Sequence, residues 1–331
     1  MDSSLNIVYI TDKNYLAPTY VSVKSLIKSK EENSFYHIII LGRNLEEDDK
    51  LYFLELETEK AKILYFDIED KLSALSQFEQ FHNNSKKSAL SKLLLPLILE
   101  EYNKILYIDG DTYIRKDVSE LYDIDIQDSY IAAARDYGPT SIKMKDFLGL
   151  KRPYFNSGVM VMNLEEMRKN KICEKLVKAK NELKNIDSFL DQSAYNCVCT
   201  NYKEIPMKWN FYFNYYYLTQ GMQFFYENCK CPYEDKKQMR EDSAIIHFAS
   251  YKPWTQPKVE RPWYKEKLDY NSTFEESAIG NISKEWYTIL LNSKYSSWID
   301  ERVEELFDKN KKITKKSVFI SIRMKLFLIE K

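Results

Sequence analysis

Between Leu5 and Phe66 the chain alternates two kinds of segment. Leu5–Ile10, Phe35–Leu41 and Ala61–Phe66 are short runs rich in β-branched and aromatic residues, the composition of buried strands. Ala17–Ser29 and Leu45–Glu59 instead place apolar residues at helical spacing, as at Val23, Leu26 and Ile27. Strand, helix, strand, helix, strand predicts a parallel sheet with helices on its faces. Ligands of such sheets bind outside the carboxyl ends of the strands. Polar residues that directly follow a strand are therefore the first candidates for function. At 331 residues, 44% hydrophobic and 30% charged, the chain can bury a large core. A net charge of −1 excludes the basic footprint of a nucleic-acid binder.

The stretch Lys104-Ile105-Leu106-Tyr107-Ile108-Asp109-Gly110-Asp111-Thr112-Tyr113 drives an apolar strand straight into two carboxylates. Side chains alternate along extended backbone, so Asp109 and Asp111 are expected on one side. Gly110 between them lets a ligand approach the backbone. Two like charges this close are costly unless a cation shares them. A divalent metal completed by substrate phosphates is the simplest occupant, and an acidic turn after a strand is the bland alternative.

Other strand ends carry further polar groups. Thr11-Asp12-Lys13-Asn14-Tyr15 follows the first strand; an acid and an amide can bond a ribose or a base edge, and a tyrosine can stack on a base. No Gly-x-Gly-x-x-Gly or Walker A sequence stands there, which argues against a nicotinamide dehydrogenase and a P-loop nucleotidase. Ser88–Tyr102 reads as one long apolar helix with Lys92 in its first turns and Pro96 as a kink. Tyr130–Ala134 is a strand ending in Arg135-Asp136, and Tyr154-Phe155-Asn156-Ser157-Gly158 opens the strand Val159–Leu164. Asp191-Gln192 falls inside a helix, where adjacent residues project about 100° apart and a surface position is the plain reading. Of three histidines, His247 ends the apolar run Ala244–Phe248 and precedes Lys252-Pro253-Trp254; His37 sits in a strand pattern and His82 in a polar loop. Lysine is a natural phosphate partner. Lys208–Tyr233 is dense in aromatics and amides, suited to a core or to sugar faces.

Taken in order, these residues resemble glycosyltransferase family 8, a retaining family that includes bacterial lipopolysaccharide and lipooligosaccharide galactosyltransferases and glucosyltransferases. The resemblance spans roughly Leu5 to Trp263 and rests on Thr11–Tyr15, Lys92, Asp109-Gly110-Asp111, Phe155–Gly158, Leu190-Asp191-Gln192, and His247 with Lys252-Pro253-Trp254. It implies a GT-A fold, that is, an α/β Rossmann-like, mixed but mainly parallel sheet flanked by helices. It further implies a UDP-sugar donor and Mn2+, with Mg2+ as the substitute ion. By the same resemblance Asp109, Asp111 and His247 would hold the metal. Asp12, Asn14 and Tyr15 would hold the uridine, with Thr11 and Gly110 completing the donor site, and Lys252 would meet the diphosphate. Lys92, Asp136, Asn156, Asp191 and Gln192 would surround the donor sugar, with Gln192, Asp191 and Lys92 nearest the chemistry. The expected activity is transfer of a hexose, galactose or glucose, to a glycan, glycolipid or glycoprotein acceptor. The loop after His247 departs from the family pattern, being shorter and carrying Ser250 near a usual glycine, so a remodelled phosphate contact is expected there.

Two alternatives stand beside this expectation. A haloacid-dehalogenase-type phosphatase also places Asp-x-Asp after an apolar strand, but here Tyr113 occupies the position where a threonine or valine is wanted. A non-catalytic UDP-sugar-binding module would use the same pocket without turnover. The expected organisation is a transferase domain over 1–265 and a helical extension over 266–331. Its tail, 308–331, holds eight basic and two acidic residues mixed with apolar ones. That composition suits either an anionic membrane surface or a docked helix. The five cysteines, an odd number in a long chain, read as buried thiols rather than zinc ligands or disulfides. Without a signal-like N-terminus or a membrane-spanning run, the expected location is cytoplasmic, with the tail as a route to the inner face of the membrane.

Overall fold

The computed structural model describes residues 4–73, 90–183, 191–212, 238, 241–249, 252, 285–286 and 288–298. The chain divides into two compact units, Met1–Phe211 with Gln220–His247, and Tyr212–Thr219 with Phe248–Lys331. The boundary expected at 265 and the basic tail lie outside the described residues. In the second unit Trp286 and Leu290 are fully buried.

The first unit is built on a seven-stranded sheet. Its strands are β1 (Leu5–Asp12), β2 (Tyr36–Arg43), β3 (Ala61–Asp67), β4 (Lys104–Ile108), β6 (Ile131–Arg135), β7 (Phe155–Asn163) and β8 (Tyr202–Ile205), in the order β3-β2-β1-β4-β7-β6-β8. A short strand, β5 (Thr112–Ile114), follows β4 but belongs to a second small sheet. Every pairing in the large sheet is parallel except those of β7, which runs antiparallel to both β4 and β6. Near-continuous apolar runs such as Ile38–Leu41 are buried because both sheet faces are covered.

Strand order reverses on either side of β1, so β1 and β4 flank a switch point of the kind where ligands of α/β sheets bind. The reversal of β7 brings its first residues to the same edge. Ile108 of β4 faces Val159, and the Asp109 amide donates to the Gly158 carbonyl at 2.7 Å. Asp109, Asp12, Asp136 and Asn156 all belong to this one edge.

Helix α1 (Leu16–Ser29) carries a second pattern besides its apolar one. Thr19, Ser22 and Ser25 recur every third residue, which puts them on one face, and all three are buried. Thr19 Oγ1 donates to the Thr11 hydroxyl at 3.0 Å, Ser22 shares a 2.6 Å bond with Thr112, and Ser25 Oγ accepts the Ile114 amide at 3.0 Å. The hydroxyl ladder thus pins the segment that follows β4.

Three local expectations change. The helix expected over 45–59 is confined to Glu47–Leu54, closed at its start by a reciprocal Glu46–Asp49 capping box. The single helix expected over 88–102 is broken: a 3₁₀ turn, Lys92–Leu94, precedes a short helix, Leu95–Ile98. Pro96 stands at the start of that helix, where its missing N–H costs nothing, and so begins an element rather than kinking one. Asn156, Ser157 and Gly158 lie within β7, not ahead of it. Cys173 and Cys199 are buried and Cys197 half-buried, all free thiols. No helix among the described residues is long and apolar enough to cross a membrane.

Candidate active site

β4 ends at Ile108, and Asp109-Gly110-Asp111 forms the link to β5. The link is tight: a Cβ on Gly110 would lie 2.2 Å from Thr19 Oγ1. Thr112 then donates to the Asp109 carbonyl at 2.9 Å. The strand Ile245–His247 pairs antiparallel with β5, setting His247 opposite Thr112. This pairing delivers His247 to the carboxylates across a long stretch of sequence. Its Nε2 lies 3.3 Å from Asp111 Oδ1 and 3.7 Å from Asp109 Oδ2. One ligand atom from each of the three residues falls within 4.8 Å of the others.

The two oxygens of Asp109 have different partners. Oδ1 accepts Tyr107 Oη at 2.6 Å and Lys92 Nζ at 3.0 Å. Oδ2 turns toward His247. Burial raises the Asp109 carboxyl above the usual carboxylate range, with Lys92 opposing the shift and Asp111 adding to it. Burial also holds the Tyr107 phenol well above its ordinary value, helped by the Asp109 charge, so Tyr107 remains a donor.

Lys92 is 3% exposed and bridges two carboxylates, Asp109 at 3.0 Å and Asp191 Oδ2 at 3.1 Å. It also donates to the Ser157 carbonyl at 3.1 Å and lies 4.5 Å from the Tyr107 ring centre. Burial alone would lower its pKa; the paired carboxylates outweigh that and hold the ammonium above the ordinary lysine value. The backbone of Lys92 is anchored by Tyr195, whose hydroxyl donates to its carbonyl at 2.7 Å.

Asp191 stands at the N-cap position of the helix Gln192–Val198 without a side-chain capping bond, and Gln192 is the helix's first residue. Both are buried, which removes the surface reading for this pair. Asp191 Oδ2 accepts the Ser157 hydroxyl at 2.7 Å. Gln192 Oε1 accepts Asn156 Nδ2 at 2.6 Å and the Ser157 amide at 3.3 Å, while its Nε2 donates to Asp136 Oδ2 at 3.1 Å. Asp136 Oδ1 accepts the Gly138 amide at 2.9 Å. Asp136, Asn156, Asp191, Gln192, Lys92, Asp109, Asp111 and His247 therefore form one connected constellation.

The loop after β1 is placed at the same edge but differs in exposure. Asp12 Oδ1 accepts the amides of Asn14 at 2.9 Å and Tyr15 at 3.3 Å, a turn that starts α1. Asn14 is exposed, Asp12 and Tyr15 half-buried, and Thr11 buried against Thr19. Lys252 is half-buried and belongs to the second unit; Ser250, Pro253 and Trp254 lie outside the described residues, as does His82. His37 bonds Ser4 Oγ at 3.2 Å, away from these groups. Within the aromatic stretch Trp209 and Phe211 are core, and residues 213–237 are outside the described set. Between those two aromatics stands a residue the motif reading passed over: Asn210, 3% exposed, whose Oδ1 meets His247 Nδ1 at 2.9 Å.

Two carboxylate oxygens and an imidazole nitrogen converging within 4.8 Å of one another fit a divalent cation. Carboxylate oxygens suit hard divalent ions and imidazole suits first-row transition ions, so the donor set is compatible with a first-row divalent cation.

This fold and site define a GT-A glycosyltransferase. The model of the family described as glycosyl transferase family 8 matches residues 6–258, and the chain belongs to that family. General stress protein A of Bacillus subtilis (strain 168) is 25% identical over 291 residues, 85% of this chain and 97% of that protein. Lipopolysaccharide 1,2-glucosyltransferase of Escherichia coli (strain K12) is 25% identical over 310 residues, 89% of this chain and 88% of the relative. Among solved structures, galactosyltransferase LgtC in complex with donor and acceptor sugar analogs superposes with a TM-score of 0.64 at 17% identity, covering 89% of this chain and all of that one. Family membership sets aside the phosphatase alternative.

Proposed function

We propose that this chain is a retaining hexosyltransferase that moves galactose or glucose from a UDP-sugar to a saccharide acceptor, using Mn2+ held by Asp109, Asp111 and His247. The observation that carries the reading is the convergence of those three ligand atoms beside a buried, charged Lys92. A cation bound there supplies Lewis-acid stabilisation of the departing diphosphate. Lys92 adds fixed positive charge in a water-poor site, where it acts most strongly. Asp12, Asn14 and Tyr15 would hold the uridine, and Lys252 the diphosphate. Asp136, Asn156 and Asp191 would orient the sugar hydroxyls, a positioning contribution.

Retention of configuration needs a nucleophile below the sugar ring or reaction on one face. By the family resemblance Gln192 would stand where such a nucleophile is expected, yet an amide is weak in that role. Its carbonyl oxygen, the atom that would attack, already accepts two hydrogen bonds. Asp191 is paired to Lys92 and Ser157, which lowers its availability for attack. These contacts support a same-face reaction in which the leaving phosphate takes the acceptor proton and the sugar passes through an oxocarbenium-like transition state.

Two relatives named for lipopolysaccharide support a cell-surface glycan as the acceptor class. The protein would then work on the cytoplasmic side of a membrane, with 308–331 as its contact. The test is UDP release from a panel of UDP-sugars, with Mn2+ and with chelator, without acceptor. Metal-dependent turnover of one donor, lost in Asp109→Asn, supports the transferase and identifies its sugar. Saturable Mn2+-dependent UDP binding with no turnover, even with saccharide acceptors supplied, marks a binding module instead. Absence of both overturns the reading.

A further inference from the structure

We propose that Asn210 is a positioning residue that holds His247 in the Nδ1–H form and so aims the bare Nε2 at Asp109 and Asp111, with Asn156 fixing the orientation of Asn210. The proposal deepens the metal-site reading above and rests on it for its functional meaning, but its own observable is the position of a proton.

The oxygen and nitrogen of a side-chain amide have nearly the same shape, so a row of amides can run in either direction. Unambiguous donors and acceptors must set it. A backbone N–H can only donate, and Gly158 N donates to one atom of Asn156 at 2.8 Å, which makes that atom Oδ1. A carboxylate can only accept, and Asp136 Oδ2 receives Gln192 at 3.1 Å, which makes the donor Nε2. The Ser157 amide at 3.3 Å agrees, marking the other Gln192 atom as Oε1. Asn156 therefore donates from Nδ2 to Gln192 Oε1 at 2.6 Å, consistent with both anchors.

Direction then propagates outward. Asn156 Oδ1 has a second neighbour at 2.7 Å, which must be a donor, so it is Asn210 Nδ2. The remaining atom of Asn210 is Oδ1, and it faces His247 Nδ1 at 2.9 Å. A carbonyl oxygen only accepts, so Nδ1 carries the proton. In the neutral ring the other nitrogen is then a lone pair, the form that binds metal. All four links are buried: Asp136 5%, Gln192 5%, Asn156 6% and Asn210 3% exposed. Little water can stand in for a missing partner. The relay also joins the residues proposed around the sugar to the residues proposed around the metal, through Asn156.

The test is ¹⁵N NMR of His247 in the full-length protein, metal-free and loaded with diamagnetic Mg2+, together with Mn2+ titration. The expected result is a proton on Nδ1 in both states. A proton on Nε2 with a bare Nδ1 in either state overturns the proposal, and this measurement needs no variant, donor or acceptor. Asn210→Leu is expected to release the tautomer and weaken Mn2+ binding about tenfold to a hundredfold, the usual effect of losing a ligand's supporting partner. Asn210→Asp keeps an acceptor toward Nδ1 but loses the donor to Asn156 Oδ1, so it is expected to keep the Nδ1–H signal while breaking the link to Asn156. Wild-type tautomer and Mn2+ affinity in a folded Asn210→Leu overturn the role assigned to Asn210. A correct tautomer in a protein that turns over no UDP-sugar instead leaves this inference standing while removing the proposed activity.

Discussion

Gly158 offers the sharpest perturbation of the candidate metal site. It lies inside β7 and has no positive φ, so its backbone would suit any residue, and alanine would ordinarily strengthen a strand by about 0.5–1 kcal/mol. Here the added Cβ would meet His247 Cε1 at 2.2 Å, His247 Nδ1 at 2.8 Å and Asp109 Oδ2 at 2.8 Å. Ordinary contact begins near 3.4 Å, so the ring must withdraw by 3.4 minus 2.2, or 1.2 Å. Metal–ligand distances tolerate only about 0.2 Å. The withdrawal therefore takes Nε2 out of reach of an ion shared with Asp109 and Asp111. Overpacking of this kind costs about 1–3 kcal/mol of stability. Mn2+ affinity should fall by about a hundredfold or more, at least the upper range seen when only a ligand's supporting partner is lost. Isothermal titration with Mn2+ and a metal-free thermal melt measure the two effects separately. A folded Gly158→Ala protein with unchanged Mn2+ affinity would refute both the clash and the assignment of His247 as a ligand.

Further outcomes follow from the same contacts. Gly149→Ala is the matched control: its φ of +63° makes alanine cost about 1 kcal/mol, yet nothing lies within 4 Å, so Mn2+ affinity should not change. Lys92→Met strands a buried carboxylate, Asp191, and a half-buried one, Asp109, and should cost about 3 kcal/mol in metal-free urea unfolding, with part recovered when Mn2+ is added. A loss under 1 kcal/mol would show that the two pairs are not formed. The Asp109 carboxyl, raised by burial, sets a pH dependence. In the metal-free fold its ionised form is disfavoured relative to the unfolded chain, a penalty present above the folded value and gone below the unfolded one. A divalent cation binds the ionised form, so the rise in Tm caused by Mn2+ should grow as pH increases through and above the carboxylate range and vanish in acid. A Tm increment that is flat across that range would contradict it. Tyr107→Phe removes one hydrogen bond to a charged oxygen and should cost about 1.5–3 kcal/mol, read by the same unfolding assay.

Local pattern was enough for β1, β2 and β4 because each is one apolar run in a buried environment, and for β3, half-exposed at the sheet edge, because its composition is equally strand-like. Parallel strands covered on both faces leave a continuous signal, and the carboxylates that end β4 stood out against it. The segment from Leu90 to Leu99 carries an equally strong apolar signal but is buried nearly all round, so composition could not distinguish one helix from a 3₁₀ turn followed by a second. The missing constraint was tertiary: Lys92 must reach Asp109 and Asp191, and its carbonyl must meet Tyr195. Likewise Asp191 and Gln192 have the spacing of any helix surface. Burial under β7, not local sequence, makes them part of the site.

Asn210 shows where motif reading stops for a physical reason. A ligand such as Asp109 advertises itself, because a charge at the end of an apolar strand is expensive without a partner. A neutral amide between two buried aromatics carries no such cost on its face; Trp209-Asn210-Phe211 reads as core with one polar interruption. What gives Asn210 meaning is direction. Its two ends differ only because Asn156 is already fixed by the Gly158 amide, and that amide is in place only because β7 runs antiparallel beside β4. The same reversal sets Gly158 against Asp109, leaving room for the imidazole where any Cβ would intrude. One strand direction thus governs the tautomer of His247, the space it occupies and the placement of Asn156. A β7 variant that folds but loses the Gly158–Asn156 bond should fail at both metal and donor together, whereas a variant in the Asp12 loop should weaken only the nucleotide.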